Sequence, residues 1–175
     1  MIDIRVAGPS DAALLAEIGA ETFAETYGSA NDAADMHAYV SAHFSPALQA
    51  RELADPANAF LVAEAEGTPA GFARLRARVP PAPHQAARPI EIVHFYARAA
   101  WIGRGVGAPL MQGCLDEAVA RGADLIWLGV WERNLRAIRF YEKWAFLQIG
   151  KKQFQVGTDV QNDLVLARAP SRPPR

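Results

Sequence analysis

The chain of 175 residues has a single cysteine and no long apolar segment. With Cys114 alone, no disulfide can form within the chain, as is usual for cytosolic proteins. No stretch approaches the roughly 18 consecutive apolar residues of a membrane span. The first residues, MIDIRVAGPSD, lack the apolar block of a secretory signal peptide. We therefore expect a cytoplasmic protein that does not interact with a membrane.

The chain also has almost no excess charge of either sign, since its formal net charge is −1. This argues against a nucleic-acid partner. The distribution is uneven: residues 11–66 carry ten acids and one base, whereas eight acids and sixteen bases follow from residue 67 onward. If both parts face one cleft, the first suits a cation and the second an anion. The alternative is two solvated surfaces that happen to differ.

Length and the order of apolar segments predict one domain, residues 1–168, followed by a disordered tail at 169–175. Helices and strands are both expected, arranged around one sheet. Apolar periodicity predicts strands at 2–7, 60–64, 70–78, 90–97, 124–131, 146–154 and 162–168. Helices are predicted up to Tyr27, over 31–44 and 46–54, after Gly107 up to Arg121, and over 134–144. A proline-rich loop separates the strands 70–78 and 90–97.

Glycines at every second position, Gly103, Gly105 and Gly107, precede the fourth helix. Glycine lets the backbone approach a ligand closely, and the free N–H groups of a first helical turn attract anions. The segment therefore predicts a phosphate or pyrophosphate site, although a simple tight turn would leave the same pattern. A dinucleotide fingerprint fits less well, because its first glycine directly follows the strand and five residues separate Ala97 from Gly103.

A second informative segment is LGVWERNLRAIRFYEKWAF, residues 128–146. It predicts a strand end, an asparagine at a helix start, and Tyr141 seven residues after Asn134 on the same helical face. Taken alone, these residues fit a helix cap and a core tyrosine.

Together the two segments resemble the GCN5-related N-acetyltransferases (GNAT). The first matches the acyl-CoA segment, Gln/Arg-x-x-Gly-x-Gly/Ala, with Ile102 in the usually polar first position. The second matches Asn-x-x-Ala-x-x-Phe-Tyr-x-x-x-Gly-Phe, with Ala145 in place of glycine. The resemblance implies an α/β protein with the GNAT fold, a single central, mostly antiparallel sheet flanked by helices. The N-terminal ETFAETYGSANDAADMHAYV and the closing FQVGTDVQNDLVLA resemble the bacterial spermidine/spermine (polyamine) branch.

The resemblance implies acetyl-CoA as co-substrate. It implies a primary amine as acceptor, and the expected amine is a polyamine such as spermidine or spermine. It assigns acetyl-CoA binding to Phe95, Tyr96, Ala97, Ile102, Gly103, Arg104, Gly105, Val106, Gly107, Ala108, Asn134, Arg136, Ala137, Tyr141 and Lys143. It assigns the acceptor side to Glu21, Glu25 and Tyr27. The carboxylates of the two glutamates would hold the distal ammonium groups of the polyamine. No metal is expected, and because dimers are common in the family, a homodimer is an open expectation.

Three catalytic roles are assigned with the help of the same resemblance. Tyr141 would protonate the departing CoA thiolate, and backbone N–H groups around Tyr96 and Ala97 would stabilise the oxyanion. An alkylamine is protonated at pH 7, so a base must take up its proton. Glu91 is the candidate base, because it lies where histone acetyltransferases of the family keep their catalytic glutamate. His94 and water are the rivals, although strand alternation puts His94 on the face opposite Glu91 unless a bulge intervenes.

Two other classes of function remain open at this point. The protein could acetylate a protein lysine or N-terminus, with the loop 79–89 forming part of a peptide groove. It could instead be a non-catalytic acyl-CoA-binding protein.

Overall fold

The computed structural model describes residues 1–81 and 84–171, and the last four residues of the expected tail, 172–175, lie outside it. The strands are β1 (Ile2–Val6), β2 (Asn58–Ala65), β3 (Thr68–Ala77), β4 (Pro89–Ala97), β5 (Leu125–Trp131), β6 (Leu147–Val156) and β7 (Asp159–Arg168). The helices are α1 (Ala12–Tyr27), α2 (Ala33–His43), α3 (Pro46–Ala54), α4 (Gly107–Ala120) and α5 (Leu135–Lys143). Within the described residues, no helix has the length and apolar character needed to span a bilayer.

All seven strands form one sheet in the order β1-β2-β3-β4-β5-β7-β6. The pair β4–β5 is parallel, and the five other pairs are antiparallel. The predicted α/β architecture with a mostly antiparallel sheet flanked by helices is confirmed. The hairpin β6–β7 is longer than predicted. Its additional residues are mostly polar and exposed, so the sequence there lacks the apolar alternation from which a strand is predicted.

Two apolar cores lie on opposite faces of the sheet. One packs α4 and α5 against the strands and includes Leu110, Met111, Cys114 and Tyr141. The other packs α1 and α2 against the opposite face, around residues such as Phe23. Cys114 is fully buried, as its position on the apolar face of the helix predicts.

The strands β4 and β5 separate along their length. They pair from Pro89 and Leu125 as far as Ile92 and Leu128, and no pair between them follows in the described residues. Beyond that point each continues to its own end, Ala97 in β4 and Trp131 in β5. The sheet therefore has a wedge-shaped gap between two central strands.

The turn before β6 carries Ala145 where the family pattern has glycine. Ala145 has a φ of 60°, in the left-handed region that disfavours residues with a Cβ. Its N–H donates to the carbonyl of Glu142, and the N–H of Phe146 donates to the carbonyl of Tyr141, so the turn keeps its shape. Alanine here costs stability without changing the path of the chain.

We expect Ala145→Gly to stabilise the protein by about 1 kcal/mol, because relief of roughly 1–2 kcal/mol of strain exceeds glycine's extra entropy cost. The side chain is exposed, so little packing is lost. Thermal unfolding should show a rise of about 2–4 °C in Tm. Ala50→Gly, at an exposed position within α3, is the matched control and should lower Tm. A lower Tm for Ala145→Gly would contradict the strain.

Candidate active site

The gap between β4 and β5 opens into a cavity of about 460 Å³. Its walls come from the diverging strands, the glycine turn, α5 and the end of α1. The lining residues are Thr26, Tyr27, Ile92, Val93, Phe95, Tyr96, Ala97, Trp101, Ile102, Gly103, Gly105, Gly107, Ala108, Leu128, Gly129, Val130, Asn134, Arg136, Ala137, Phe140 and Tyr141.

The cavity reaches both faces of the sheet. Phe95, Val130 and Tyr141 belong to the core beneath α4 and α5. Tyr27 and Tyr96 belong to the core beneath α1 and α2, yet both line the same cavity. Two molecules could therefore enter from opposite faces and meet in the gap.

One mouth of the cavity is rich in unpaired backbone donors. Gly103 and Gly105 have φ values of 78° and 87°, which residues with a Cβ rarely adopt. Among the described residues, the N–H groups of Gly105, Val106, Gly107 and Ala108 have no backbone acceptor. Pro109 follows in the first turn, where a missing N–H has no cost. The helix dipole adds positive potential, so this end of α4 suits a pyrophosphate.

The divergence also exposes donors along β4. Arg98 N–H donates to the carbonyl of Ala70, so the alternation of an antiparallel pair turns the N–H of Tyr96 toward β3. The N–H groups of Phe95 and Ala97 then point into the gap. Those two groups, rather than that of Tyr96, are placed to stabilise an oxyanion.

Tyr141 is one of the residues that line the cavity. It is 7% exposed, and burial raises the pKa of its phenol well above the usual 10. Within residues 1–81 and 84–171, no side-chain hydrogen bond occupies its hydroxyl. A phenol that stays protonated and faces a cavity can donate to a thiolate leaving group, whose own pKa is much lower.

The asparagine and its neighbours on α5 complete this wall. Asn134 Oδ1 accepts the N–H of Ala137 at 3.2 Å, the cap that the sequence predicts. Arg136 lines the cavity and supplies a positive charge. Three residues assigned to acetyl-CoA do not line it: Arg104 lies over the Trp101 ring, Val106 is buried in the core, and Lys143 is exposed.

Glu91 is the main correction to the sequence interpretation. It is 3% exposed and does not line the cavity. Its Oε2 lies 3.3 Å from Arg76 and 3.4 Å from Arg78, and its Oε1 lies 3.7 Å from Lys152. A carboxylate held by three cations ties β3, β4 and β6 together and is poorly placed to take a proton from an amine.

The rival base, His94, is also excluded by its surroundings. A register shift in β3–β4 pairs Glu91 with Arg76 and His94 with Arg74, so the bulge brings both residues to one face. His94 packs against Phe44 and Phe72, and its Nδ1 has no partner among the described residues. Burial, followed by the nearby charges of Arg74 and others, lowers its pKa to about 3, so at neutral pH it is too weak a base.

The predicted acceptor residues divide into two groups. Tyr27 lines the cavity, and burial raises its pKa to about 12. Glu21 and Glu25 lie beside the cavity without lining it, because Glu21 pairs with Arg98 at 3.0 Å and Glu25 accepts the N–H of Ala99 at 3.0 Å. Both carboxylates thus hold the segment that leaves β4.

Several lining residues have no counterpart among the predicted site residues. They are Thr26, Ile92, Val93, Trp101, Leu128, Gly129, Val130 and Phe140. Phe140 lies inside the matched α5 motif and could have been included from that pattern. The β5 residues carry no sequence signal of a site, because a buried apolar strand looks the same with or without a gap beside it.

Comparison with known proteins identifies the family. The model of the Acetyltransferase (GNAT) family matches residues 20–146. The chain belongs to the GNAT family. An uncharacterised N-acetyltransferase of Mycobacterium tuberculosis is 34% identical over 159 residues, 91% of this chain and 97% of that protein. One from Lactobacillus delbrueckii subsp. lactis is 30% identical over 154 residues, covering 87% and 88% of the two chains.

A solved structure shows the same fold at lower identity. The crystal structure of the PaiA N-acetyltransferase from Thermoplasma acidophilum in complex with coenzyme A has a TM-score of 0.78. It is 19% identical and covers 97% of this chain and 99% of its own. As a GNAT member, the protein is an N-acetyltransferase that takes acetyl-CoA as co-substrate. The free N–H groups at the start of α4 fit the diphosphate of such a donor.

We expect Gly105→Ala to weaken acetyl-CoA binding at least about tenfold, since a Cβ at this φ shifts the N–H groups that face the donor. Calorimetry with acetyl-CoA measures it. Gly67→Ala, at φ 76° in the turn between β2 and β3 with open space around it, is the matched control. Both variants should lose similar stability, but only the first should lose affinity. Equal affinities would mean that this turn does not bind the donor.

We expect Tyr141→Phe to lower kcat at least about tenfold, because the thiolate loses its proton donor. The acetyl-CoA dissociation constant should stay unchanged, and steady-state thiol release and calorimetry check both values. Tyr39→Phe, in an aromatic cluster outside the cavity wall, should leave kcat unchanged. An unchanged kcat for Tyr141→Phe would remove the phenol from the mechanism.

Proposed function

We propose that the protein transfers an acetyl group from acetyl-CoA directly to a primary amine of a small polycation such as spermidine or spermine. The observation that carries this proposal is the cavity that crosses the sheet between β4 and β5. A donor held at the start of α4 and an amine entering beside Tyr27 would meet next to Tyr141. Direct transfer needs both molecules present together, and a cavity lined by residues of the cores on both faces of the sheet supports that.

The charge around the second mouth supports a cationic acceptor. Glu17, Glu21 and Glu25 follow one another by single turns along α1, which ends at the cavity residue Tyr27. Arg98 contacts two of them, Glu17 at 2.9 Å and Glu21 at 3.0 Å. Three carboxylates against one guanidinium leave net negative charge there, which attracts a polycation.

Acetylation by way of an enzyme-bound intermediate has less support. Cys114 is the only cysteine, it is fully buried, and burial raises the pKa of its thiol. In direct transfer the amine nitrogen bonds to the thioester carbon as its proton leaves. The C–S bond then breaks, the thiolate takes the proton of Tyr141, and the proton lost by the nitrogen restores the phenol.

The alternatives draw less support from the fold. A protein acceptor would use the loop 79–89, but that loop enters β4 at Pro89, whereas the cavity surrounds the far end of the strand near Ala97. A protein that only bound acyl-CoA would need no phenol in the gap, and Tyr141 is there.

We expect the protein to acetylate spermidine with a kcat/KM at least about tenfold above that for n-butylamine, or about 1.4 kcal/mol of extra transition-state binding. Thiol release gives the rate, and mass spectrometry of the amine confirms transfer. A lysine peptide and an N-terminal alanine peptide complete the panel. Preference for a peptide over both amines would contradict a polyamine acceptor.

Glu21→Gln is the charge test within the same assay. It should raise KM for spermidine several-fold and spare n-butylamine, because only the longer amine carries distal ammonium groups. Glu17 remains to pair with Arg98, so the segment after β4 should keep its position. Asp116→Asn, an exposed acid on α4, is the control and should change neither KM. An equal effect on both amines would mean that Glu21 acts only through the fold.

A further inference from the structure

Asp163, in the middle of β7, is a buried acid that no step above uses. It is 6% exposed and pairs in register with Trp131 of β5. Its Oδ1 is sealed from solvent and has no hydrogen-bond partner among the described residues. An unpaired polar atom in a protein interior costs free energy, and such atoms are rare. A ligand that bonds to Asp163 Oδ1 during the reaction would explain why it is unpaired here.

The carboxylate lies directly behind the cavity wall. Gly129 lines the cavity, and a Cβ added there would come within 3.0 Å of Asp163 Oδ2. The same Cβ would meet the end of the Lys152 side chain, at Cε and at 2.9 Å from Nζ, so this side chain and the carboxylate both lie against Gly129. Asp163 also raises the pKa of Tyr27, which lines the acceptor side. The absent side chain of Gly129 thus leaves the carboxylate close to the cavity wall.

Lys152, the register partner of Asp163 on β6, makes its ion pair with Glu91 and none with Asp163 among the described residues. The ammonium of Lys152 is 3.7 Å from Glu91 Oε1 and lies 5.5 Å from the centre of the Trp127 ring. Burial raises the pKa of Asp163 to about 6, with Lys152 opposing and Glu132 adding to the shift. The titratable groups that face it are Tyr27 from α1, Tyr39 from α2, Glu91 from β4, Glu132 after β5 and Lys152 from β6.

We infer that Asp163 is the carboxylate that binds the acceptor's ammonium group and takes up its proton before acetyl transfer. One N–H bond of the ammonium breaks and one O–H bond forms on Asp163. The neutral nitrogen then bonds to the thioester carbon, the C–S bond breaks, and the thiolate takes the proton of Tyr141. The proton that the nitrogen loses as the amide forms restores the Tyr141 phenol, and Asp163 gives up its own proton before the next turnover. This inference rests on the proposed amine acetylation, and it assigns the role of base to an acid that, unlike Glu91, has an oxygen without a partner among the described residues.

We expect Asp163→Asn to lower kcat/KM for both spermidine and n-butylamine at least about tenfold, within the range usual for loss of a general base. In the wild type, kcat/KM should rise with pH through about 6, as the carboxyl ionises. The variant should lose that acidic limb. Asp159→Asn, an exposed acid on the same strand, should keep both rate and profile. Circular dichroism and acetyl-CoA affinity show whether Asp163→Asn is folded.

A second measurement does not depend on turnover. With ¹³C-labelled aspartate, the Asp163 carboxyl signal is the one missing from the folded Asp163→Asn variant. Adding n-butylamine in the presence of coenzyme A should lower the pKa read from that signal, because an ammonium favours the ionised carboxyl. If the wild type acetylates no amine, the proposed function fails and this titration alone decides the inference. An unmoved signal, or an Asp163→Asn variant as active as Asp159→Asn, would overturn it.

Discussion

The separation of two neighbouring strands is the constraint on which this molecule depends. Parallel pairing of β4 with β5 holds the middle of the sheet together only as far as Ile92 and Leu128. Past that point their backbone groups lack a partner in each other, and a buried N–H left alone is costly. The same divergence gives the cavity its walls and aims the N–H groups of Phe95 and Ala97 into it. The site therefore exists because backbone groups of β4 and β5 are left unpaired, which costs stability.

Ion pairs connect the strands of the sheet close to the point where β4 and β5 separate. Glu91, just before the strands part, is fixed by Arg76, Arg78 and Lys152. Asp163, two strands away on β7, lacks such ion pairs, and its Oδ1 has no hydrogen-bond partner among the described residues. Two buried acids near one gap therefore have different surroundings. The fixed one suits holding the strands, and the unpaired one suits receiving a proton.

The local sequence predicted most of the fold, but it predicted few of the contacts around the proposed acceptor site. The glycine turn, the Asn134 cap and the buried Cys114 each depend on neighbours within one helix or turn, so their patterns are visible in the chain. The bulge that brings His94 and Glu91 to one face is not, because a register shift depends on how β3 pairs with β4. Likewise, the acids of α1 are visible as charges, while their contacts with Arg98 and Ala99 depend on packing across the sheet.

The sequence by itself determined that this is one mixed sheet with helices on both faces, an anion-binding helix start, and a tyrosine on the helix beside it. These features follow from periodicity and from backbone freedom at glycine, which act over a few residues. Only the tertiary structure decided which buried acids are held by cations and which are not. Glu91 and Asp163 are both buried acids in strands, and the cations that hold Glu91 lie 13 to 61 residues away from it in the chain. Such distances carry no local signal, because contact between those residues exists only once the sheet has formed.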